Sequence, residues 1–589
     1  MDIILVQCKP KNELFDSRYQ SENLAMGYLS SSLRAVNFQT GILDAHLLML
    51  EVDEVVKEIF IHKPWMVGFS ASAQDTIPAT FEVVERLRQS GYEGHITIGG
   101  HFPTYEHYKF LENIPYIDSV VRGEGEATIV ELAWCIQQNK SISNVKGITY
   151  RRTDGKIVVN EDRPLVEDLD TIPLPHRDTM PILLDKNRRI SMLASRGCYA
   201  RCSFCSIQTF FNYRPRRVRS VENVVKEFSI LYQQGVRKFK FVDDLFMDPS
   251  KRSKQWVLEF CRKIKEANLD DLFMDPSKRS KQWVLEFCRK IKEANLDDLN
   301  LWMQVRAVCV SEEIFVALKE IGLKKIFLGL ESGHAETLKR YKKDITPEQN
   351  VKAVRILKKV EIPEISIGMM PFEPDLSLQG MRENIEFLKT LGTFDIRDVT
   401  GRFLPYAGTP LTEQLLQEGK IKRKSWYDIG TYDFTDPKVG QLYQMVRTYY
   451  QHAKPSLKAI YKMDSLIRKI EAHFMNMEQK KTKSFFEYQV LRKDVENFIQ
   501  EHGDMMLSLV EGTIDTIEKE WSGSEEKKWT EKSQMIFHEA ESMTNNLFNR
   551  ISGLQDALGF YPKKQDILPT MHVAEVKVLT GKQIKEQVN

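Results

Sequence analysis

The first 145 residues alternate short apolar runs with amphipathic stretches of helical period. Residues 3–6, 40–43, 66–70, 96–98 and 119–121 read as strands, and 23–35, 52–62, 80–90 and 127–139 as helices between them. Five strands joined by helices predict a doubly wound parallel sheet. Residues 147–159 read as a β-hairpin turning at Asp154-Gly155. The prolines within 169–178 then force an extended connector. From residue 190 a strand-then-helix unit repeats, with strands at 190–194, 238–242, 300–305, 325–330, 364–368 and 398–404. Six such units predict an open, partial (β/α)6 barrel. Strand signals largely stop after 415, and amphipathic helical runs follow at 455–477, 485–501 and 533–551. The pattern divides the chain into a sheet domain (1–145), a hairpin and Pro-rich linker (146–185), a barrel (186–415) and a helical domain (416–589), whose last residues read as a loose tail.

Between the first barrel strand and the next helix lies Ser195-Arg-Gly-Cys-Tyr-Ala-Arg-Cys-Ser-Phe-Cys-Ser206, with Cys198, Cys202 and Cys205 spaced CxxxCxxC. Three thiolates this close can ligate three irons of a four-iron, four-sulfur cluster and leave the fourth iron open to a chelating ligand. A structural zinc would want a fourth Cys or His nearby, and none follows. Sites in such barrels collect at the carboxyl ends of the strands. That rule gathers Asp243, Asp244, Gln304, Arg306, Glu331, Ser332 and the 405–410 loop around the cysteines. In the N-terminal sheet the same rule selects Ser70-Ala-Ser72, Gly99-Gly-His101 and Arg122-Gly-Glu-Gly-Glu126.

Composition sets limits and adds no chemistry. Hydrophobic residues make up 42% of the 589 and the formal net charge is +2, so no global charge draws the chain to nucleic acid. No stretch reaches the roughly 18 apolar residues that a membrane span needs. Asp2 and the short apolar run after it read as a first strand, not a secretory leader. Eight cysteines without such a leader fit a reducing, cytoplasmic setting, with Cys8, Cys135 and Cys309 as packing residues. The run Arg214-Pro-Arg-Arg-Val-Arg219 reads as a solvated loop and is given no ligand.

Residues 243–269 recur without a change as 270–296. Solenoid repeats drift in sequence, so an identical pair marks a recent or artificial duplication. Only Asp243-Asp244 follows a strand. Either helix, 255–267 or 282–294, could fill the single barrel slot, and Cys261 and Cys288, the same residue twice, are given no chemistry.

The cysteine loop resembles the signature of the radical S-adenosylmethionine (SAM) superfamily. The resemblance implies that SAM chelates the open iron and is cleaved reductively to a 5′-deoxyadenosyl radical, with Phe204 near the adenine. It places the SAM amine at Asp243 and Asp244, the carboxylate at Arg306, and ribose or carboxylate at Glu331 and Ser332, with Gln304 beside them. Residues 370–374 and 405–410 resemble the family's closing loops. The N-terminal sheet resembles the cobalamin-binding domain that precedes the cluster domain in one large class of these enzymes. There Ser70, Ser72, Gly99, Gly100 and His101 would cradle the cofactor's nucleotide tail, with Gly123 and Glu124 as companions. The class often supplies a cobalt-ligating His after the first strand; here Lys9-Pro-Lys-Asn stands there, and His46, after the second strand, is expected to be structural.

The implied chemistry is methylation of an unactivated carbon through the 5′-deoxyadenosyl radical and methylcobalamin, recharged by a second SAM. Cyclisation or ring rearrangement with the same cofactors is the alternative. A sensor without turnover is a third reading, although the C-terminal region holds no DNA-binding or signalling motif. A tRNA methylthiotransferase is disfavoured, because the N-terminal domain lacks a second cysteine triad. The resemblance further implies a small-molecule or peptide substrate, an electron donor such as flavodoxin or ferredoxin, and no nucleic-acid partner.

Overall fold

A computed structural model describes residues 1–10, 21–72, 74–248, 250–266, 299–475 and 483–558. The chain forms two compact units, one of residues 1–447 with 510–521, the other of 448–509 with 522 onward.

In the first unit, β1 (Ile3–Gln7), β2 (Thr40–Asp44), β3 (Met66–Ser70), β4 (His95–Gly99) and β5 (Ser119–Val121) pair in parallel in the order 2-1-3-4-5. Alternate residues feed two cores. Ile4, Val6, Val67, Phe69, Ile96 and Ile98 pack against Val55, Ile59, Val83, Val84, Leu87 and Phe110 on one face. Ile3, Leu5 and Met66 pack against Met26, Leu33, Ile129 and Leu132 on the other. Both faces are covered, which is why these strands read as unbroken apolar runs. The hairpin expected in the linker instead extends the sheet: β6 (Ile148–Arg151) pairs antiparallel with β5, and β7 (Ile157–Val159) with β6.

The barrel is a parallel sheet of β8 (Ile190–Met192), β11 (Lys238–Phe241), β12 (Asn300–Arg306), β13 (Leu323–Glu331) and β14 (Glu364–Met369), ordered 14-13-12-11-8. Between its first two strands, β9 (Ser195–Arg196) and β10 (Arg217–Val218) form an antiparallel ribbon. The sixth strand expected at 398–404 does not form. Asp395 and Asp398 make a reciprocal capping box that starts a short helix, Ile396–Thr400, and only a Phe372–Arg402 bridge continues the sheet. The first copy of the repeat fills the barrel slot through the helix Lys251–Glu266, which buries Val257, Phe260 and Cys261. Its Trp256 indole donates to the Arg219 carbonyl at 2.9 Å. The second copy, with Asp270 and Cys288, lies outside the described residues, as does the tail.

The C-terminal helices run longer than their apolar periods implied: Pro437–Met475, Lys483–Lys519 and Gly523–Ala557. Pro455 was expected to open a helix, but the first of these runs through it. In the second unit Leu457, Ile460, Leu491, Val495, Phe498 and Phe537 are buried, and Ser456 bonds His502 at 2.7 Å.

Two buried charge networks join the N-terminal sheet domain to the barrel. Arg196 of β9 donates to Glu124 at 2.9 Å and also to Glu126. Arg217 of β10 donates to both Glu124 oxygens, at 2.9 and 3.0 Å. In the second network Arg177, from the connector, bridges Glu22 and Glu227, and Arg219 reaches Glu227 at 2.6 Å. None of these eight side chains is more than 12% exposed. The arginine run at 214–219 is therefore not a solvated loop. Arg216, 4% exposed, is buried with Arg217 and Arg219 and donates to the Leu245 carbonyl at 2.8 Å.

Removing one partner of a buried ion pair strands the other, at a cost of about 3–5 kcal/mol. Glu124→Ala, which strands two arginines, should lower stability to urea by about that amount. Burial disfavours the charge of Glu124, but Arg217 and Arg196 outweigh it and hold the carboxyl below its usual range. The contribution of Glu124 is thus whole above the ordinary carboxylate pKa and fades as the pH falls through and below it. A Glu124→Ala protein as stable as the parent at pH 7 would refute the role.

Deleting 270–296 recreates the existing Leu-Asp-Asp junction at its downstream end. The shortened chain should melt no lower than the full one, and Asp243→Ala should destabilise the protein far more than Asp270→Ala. An insoluble deletion, or equal damage from the two variants, would contradict this.

Candidate active site

The cysteines follow β9 on a loop that returns through the short helix Ile207–Phe210. Cys202 is buried, while Cys198 and Cys205 are half-buried. The loop is pinned from the barrel side: Ser203 N–H donates to the Tyr341 carbonyl at 2.9 Å, Ser203 Oγ to the Arg340 carbonyl at 2.7 Å, and Leu411 N–H to the Ser203 carbonyl at 2.8 Å. Burial pushes the Cys205 thiol up to about 12 and raises that of Cys198, and each also feels its neighbours' charge. Among the described residues no three His, Cys, Asp or Glu converge tightly enough for a single ion. A four-iron cluster suits this triad better, since each thiolate binds a different iron.

Around the loop, the residues expected to hold SAM separate into two sets. Asp243, 3% exposed, turns back on the chain and accepts from Ser195 Oγ at 2.6 Å and Ala194 N–H at 3.1 Å. It fixes the approach to the cysteines and is spent on the chain itself. Asp244 is solvent-accessible yet closely surrounded by protein; burial raises its carboxyl to about 6, although Gly197 N–H donates to it at 2.9 Å. Arg306 Nη1 lies 2.9 Å from Cys202 Sγ, and its other terminal nitrogen donates to the Lys343 carbonyl. Gln304, half-buried, sits two residues earlier on β12 and so on the same sheet face. Glu331 holds a left-handed backbone (φ +70°) beside a register shift and pairs with Lys343 at 2.7 Å. Such strain in a buried non-glycine residue is characteristic of functional sites. Ser332 is fully buried and bonds Asn384 at 2.8 Å, so it supports the site and does not line it. Phe204 packs edge-on to Tyr341, with centroids 5.1 Å apart, and has the Lys343 ammonium 5.5 Å from its own ring centre.

At the N-terminal sheet the strand order reverses between β1 and β3, where doubly wound folds open their ligand crevice. Asn23 Nδ2 spans it, donating to Ser70 Oγ at 2.9 Å and to Gln7. Gly100 has φ +119°, and a Cβ there would lie 2.7 Å from Ser72 Oγ. Only glycine allows that approach. Gly99 closes β4, and Gly123 donates its N–H to Thr104 Oγ1 at 3.0 Å, with open space beside its Cα. This small-residue cradle suits a bulky cofactor tail such as cobalamin's. Glu124 does not line it: both its oxygens are held by Arg196, Arg217 and the Val166 N–H. His46 lies beyond β2, one strand removed from the crevice.

The helix His101–Asn113 carries the crevice to the cysteines. The His101 ring meets Phe210 at 4.0 Å between centroids, and burial lowers the imidazole to about 4, so it is neutral. One turn on, Tyr105 OH donates to the Ser206 carbonyl at 2.6 Å. Sequence reasoning missed Tyr105, Arg196, Arg217 and Lys343. Arg196, two residues before Cys198, and Arg217, within the arginine run, carried a signal; Tyr105 and Lys343 did not.

Comparison with known proteins agrees with this geometry. The B12 binding domain matches residues 14–133, and the Radical SAM superfamily matches 192–388. An uncharacterized methyltransferase of Pyrococcus horikoshii is 27% identical over 460 residues, covering 76% of this chain and 91% of that protein. The anaerobic magnesium-protoporphyrin IX monomethyl ester cyclase of Rubrivivax gelatinosus is 28% identical over 350 residues, 56% of each chain, so the match spans about half of that relative. Among solved structures, the cobalamin-dependent SAM radical enzyme OxsB, with aqua-cobalamin and SAM bound, superimposes with a TM-score of 0.67 at 17% identity, over 95% of this chain and 79% of that one. No described helix is long and apolar enough to cross a membrane. A cobalamin-binding sheet domain followed by a radical SAM barrel with its cysteine triad makes this chain a member of the cobalamin-dependent radical SAM enzymes, whose cofactors are a four-iron, four-sulfur cluster, SAM and cobalamin.

Proposed function

We propose that this enzyme methylates an unactivated carbon of a small molecule or peptide. The observation that carries the reading is the shared wall between the two cofactor sites. His101 follows the Gly99-Gly100 cradle directly and touches Phe210, while Tyr105 bonds Ser206 next to Cys205. Groups bound at the cradle and at the cysteines would therefore share that helix as a wall. When bound, the cluster supplies an electron for SAM cleavage and cobalamin carries the methyl group. Acid–base chemistry alone has nothing to act upon at an unactivated C–H bond, so the protein's part is to position groups and exclude water.

The residues support that part. Cys198, Cys202 and Cys205 hold the cluster. Asp244, with its carboxyl raised to about 6 and so mostly ionised at pH 7, would accept from the SAM ammonium, and Arg306, held beside Cys202 and on the Lys343 carbonyl, would lend positive charge to the SAM carboxylate. Lys343 neutralises Glu331 at the cavity edge, and Phe204 offers a face for the adenine. The 405–410 loop closes the mouth, held by Thr209 Oγ1 on the Gly408 carbonyl at 2.6 Å and by Ala407 N–H on Gln74 at 3.3 Å. The electron comes from a flavodoxin- or ferredoxin-like donor. The methyltransferase of P. horikoshii, matched over 91% of its length, favours methyl transfer. The cyclase of R. gelatinosus supports the alternative, cyclisation or rearrangement with the same cofactors.

The reconstituted enzyme, incubated anaerobically with methyl-labelled SAM, reductant and candidate metabolites, should give 5′-deoxyadenosine and a product carrying the label. A rearranged product without label would favour the alternative.

Cys202→Ala should lose the cluster's absorbance and all 5′-deoxyadenosine formation while binding cobalamin nearly as well as the parent, because separate domains hold the two groups. Persistence of the cluster and of SAM cleavage in this variant would overturn the assignment.

A further inference from the structure

Asp75 has no part in the networks described above. It lies in the turn Gln74–Thr76, beyond the carboxyl end of β3 and at the start of the helix Ile77–Gln89. Both carboxylate oxygens are shut off from solvent, and neither has a hydrogen-bond partner among the described residues. Burial pushes the carboxyl up; the backbone amides of Asp75 and Thr76 offset part of that shift without reaching hydrogen-bond geometry. A buried polar group left in this state is costly, more so when charged, and calls for a partner that the described residues do not supply.

The neighbours show where the carboxylate stands. Gln74 presses the turn against the barrel's closing loop, accepting from Ala407 N–H at 3.3 Å and donating to the Tyr427 carbonyl at 3.2 Å. The Tyr406 phenol on that loop feels the charge of Asp75. On the sheet side, Ser72 sits against Gly100 in the cradle. Asp75 thus lies on the turn that runs from the cradle to the barrel's closing loop, beyond the strand ends where doubly wound domains take their ligands.

An ionised carboxylate only accepts hydrogen bonds, so its partner must be a donor. Cobalamin carries primary carboxamides around the rim of its ring, and their N–H groups are donors of that kind. We propose that Asp75 is a cobalamin-binding residue that accepts a hydrogen bond from a side-chain amide of the cofactor. The inference rests on the cobalamin assignment and adds a contact that the paired glycines do not provide. It makes the turn after β3 responsive to the cofactor while Gln74 ties the same turn to the barrel.

The test is hydroxocobalamin binding to the full chain with its cluster in place, measured by equilibrium dialysis for the parent, Asp75→Ala and Asp75→Asn. A hydrogen bond to a charged group is worth about tenfold in affinity or more. Asp75→Ala should therefore bind at least about tenfold more weakly, Asp75→Asn, which keeps one acceptor oxygen, should lose less, and iron content should stay unchanged in both. Parent-like affinity in Asp75→Ala would overturn the proposal. So would loss of iron and cobalamin together in both variants, which would mark a structural role. Failure of the parent itself to bind hydroxocobalamin would instead defeat the cobalamin assignment on which the proposal rests.

Discussion

The structure depends on one interaction above the others: the buried arginine–glutamate contacts that lock the N-terminal sheet domain to the barrel. Arg196 stands two residues before the first cluster cysteine, and Glu124 stands between two glycines of the loop after β5. Ion pairs removed from water gain little net stability, because desolvation consumes most of the attraction. Their use here is geometric. An arginine held by two carboxylates has few ways to sit, so the loop that bears the cysteines and the crevice of the sheet domain keep a fixed relation. Chemistry that involves two cofactors and one substrate needs that relation held to a fraction of an ångström, since small misplacements are costly in rate.

The acidic residues show how environment divides labour among like groups. Asp243, satisfied by Ser195 and Ala194, is scaffold. Asp244, the next residue, is solvent-accessible and has a raised carboxyl. Glu331 is neutralised by Lys343 in a strained backbone, and Glu124 belongs wholly to its arginines. Asp75 alone among these five has no protein partner within the described residues. That sets it apart as the proposed cobalamin contact.

Much of this was legible in the sequence, for physical reasons. The parallel sheet was readable because strands buried on both faces must be continuous apolar runs, and the cysteine loop because three thiols at that spacing have few other uses. Gly100 declared itself as a paired glycine after a strand, and its positive φ against Ser72 supplies the reason. The failures have two causes: one lies in a local bond, the others where long-range partners decide. The sixth strand gave way to a helix because Asp395 and Asp398 cap one another, a local bond that outcompetes a weak apolar pattern. The arginine run looked solvated because Glu124 and the Leu245 carbonyl, which hold Arg217 and Arg216, lie 93 and 29 residues away in sequence. Glu124 and Ser332 looked like ligand contacts because position at a strand end does not reveal that Arg217 or Asn384 already holds the side chain.

The central claim is that cobalamin and the cluster face one cavity across a fixed interface. Electron paramagnetic resonance of the anaerobic enzyme, carrying cob(II)alamin and the reduced cluster together, tests it without a substrate. The account predicts magnetic coupling between the two centres, seen as faster relaxation or splitting of the cob(II)alamin signal when the cluster is reduced. A spectrum that is only the sum of two independent signals, with unaltered relaxation, would contradict it.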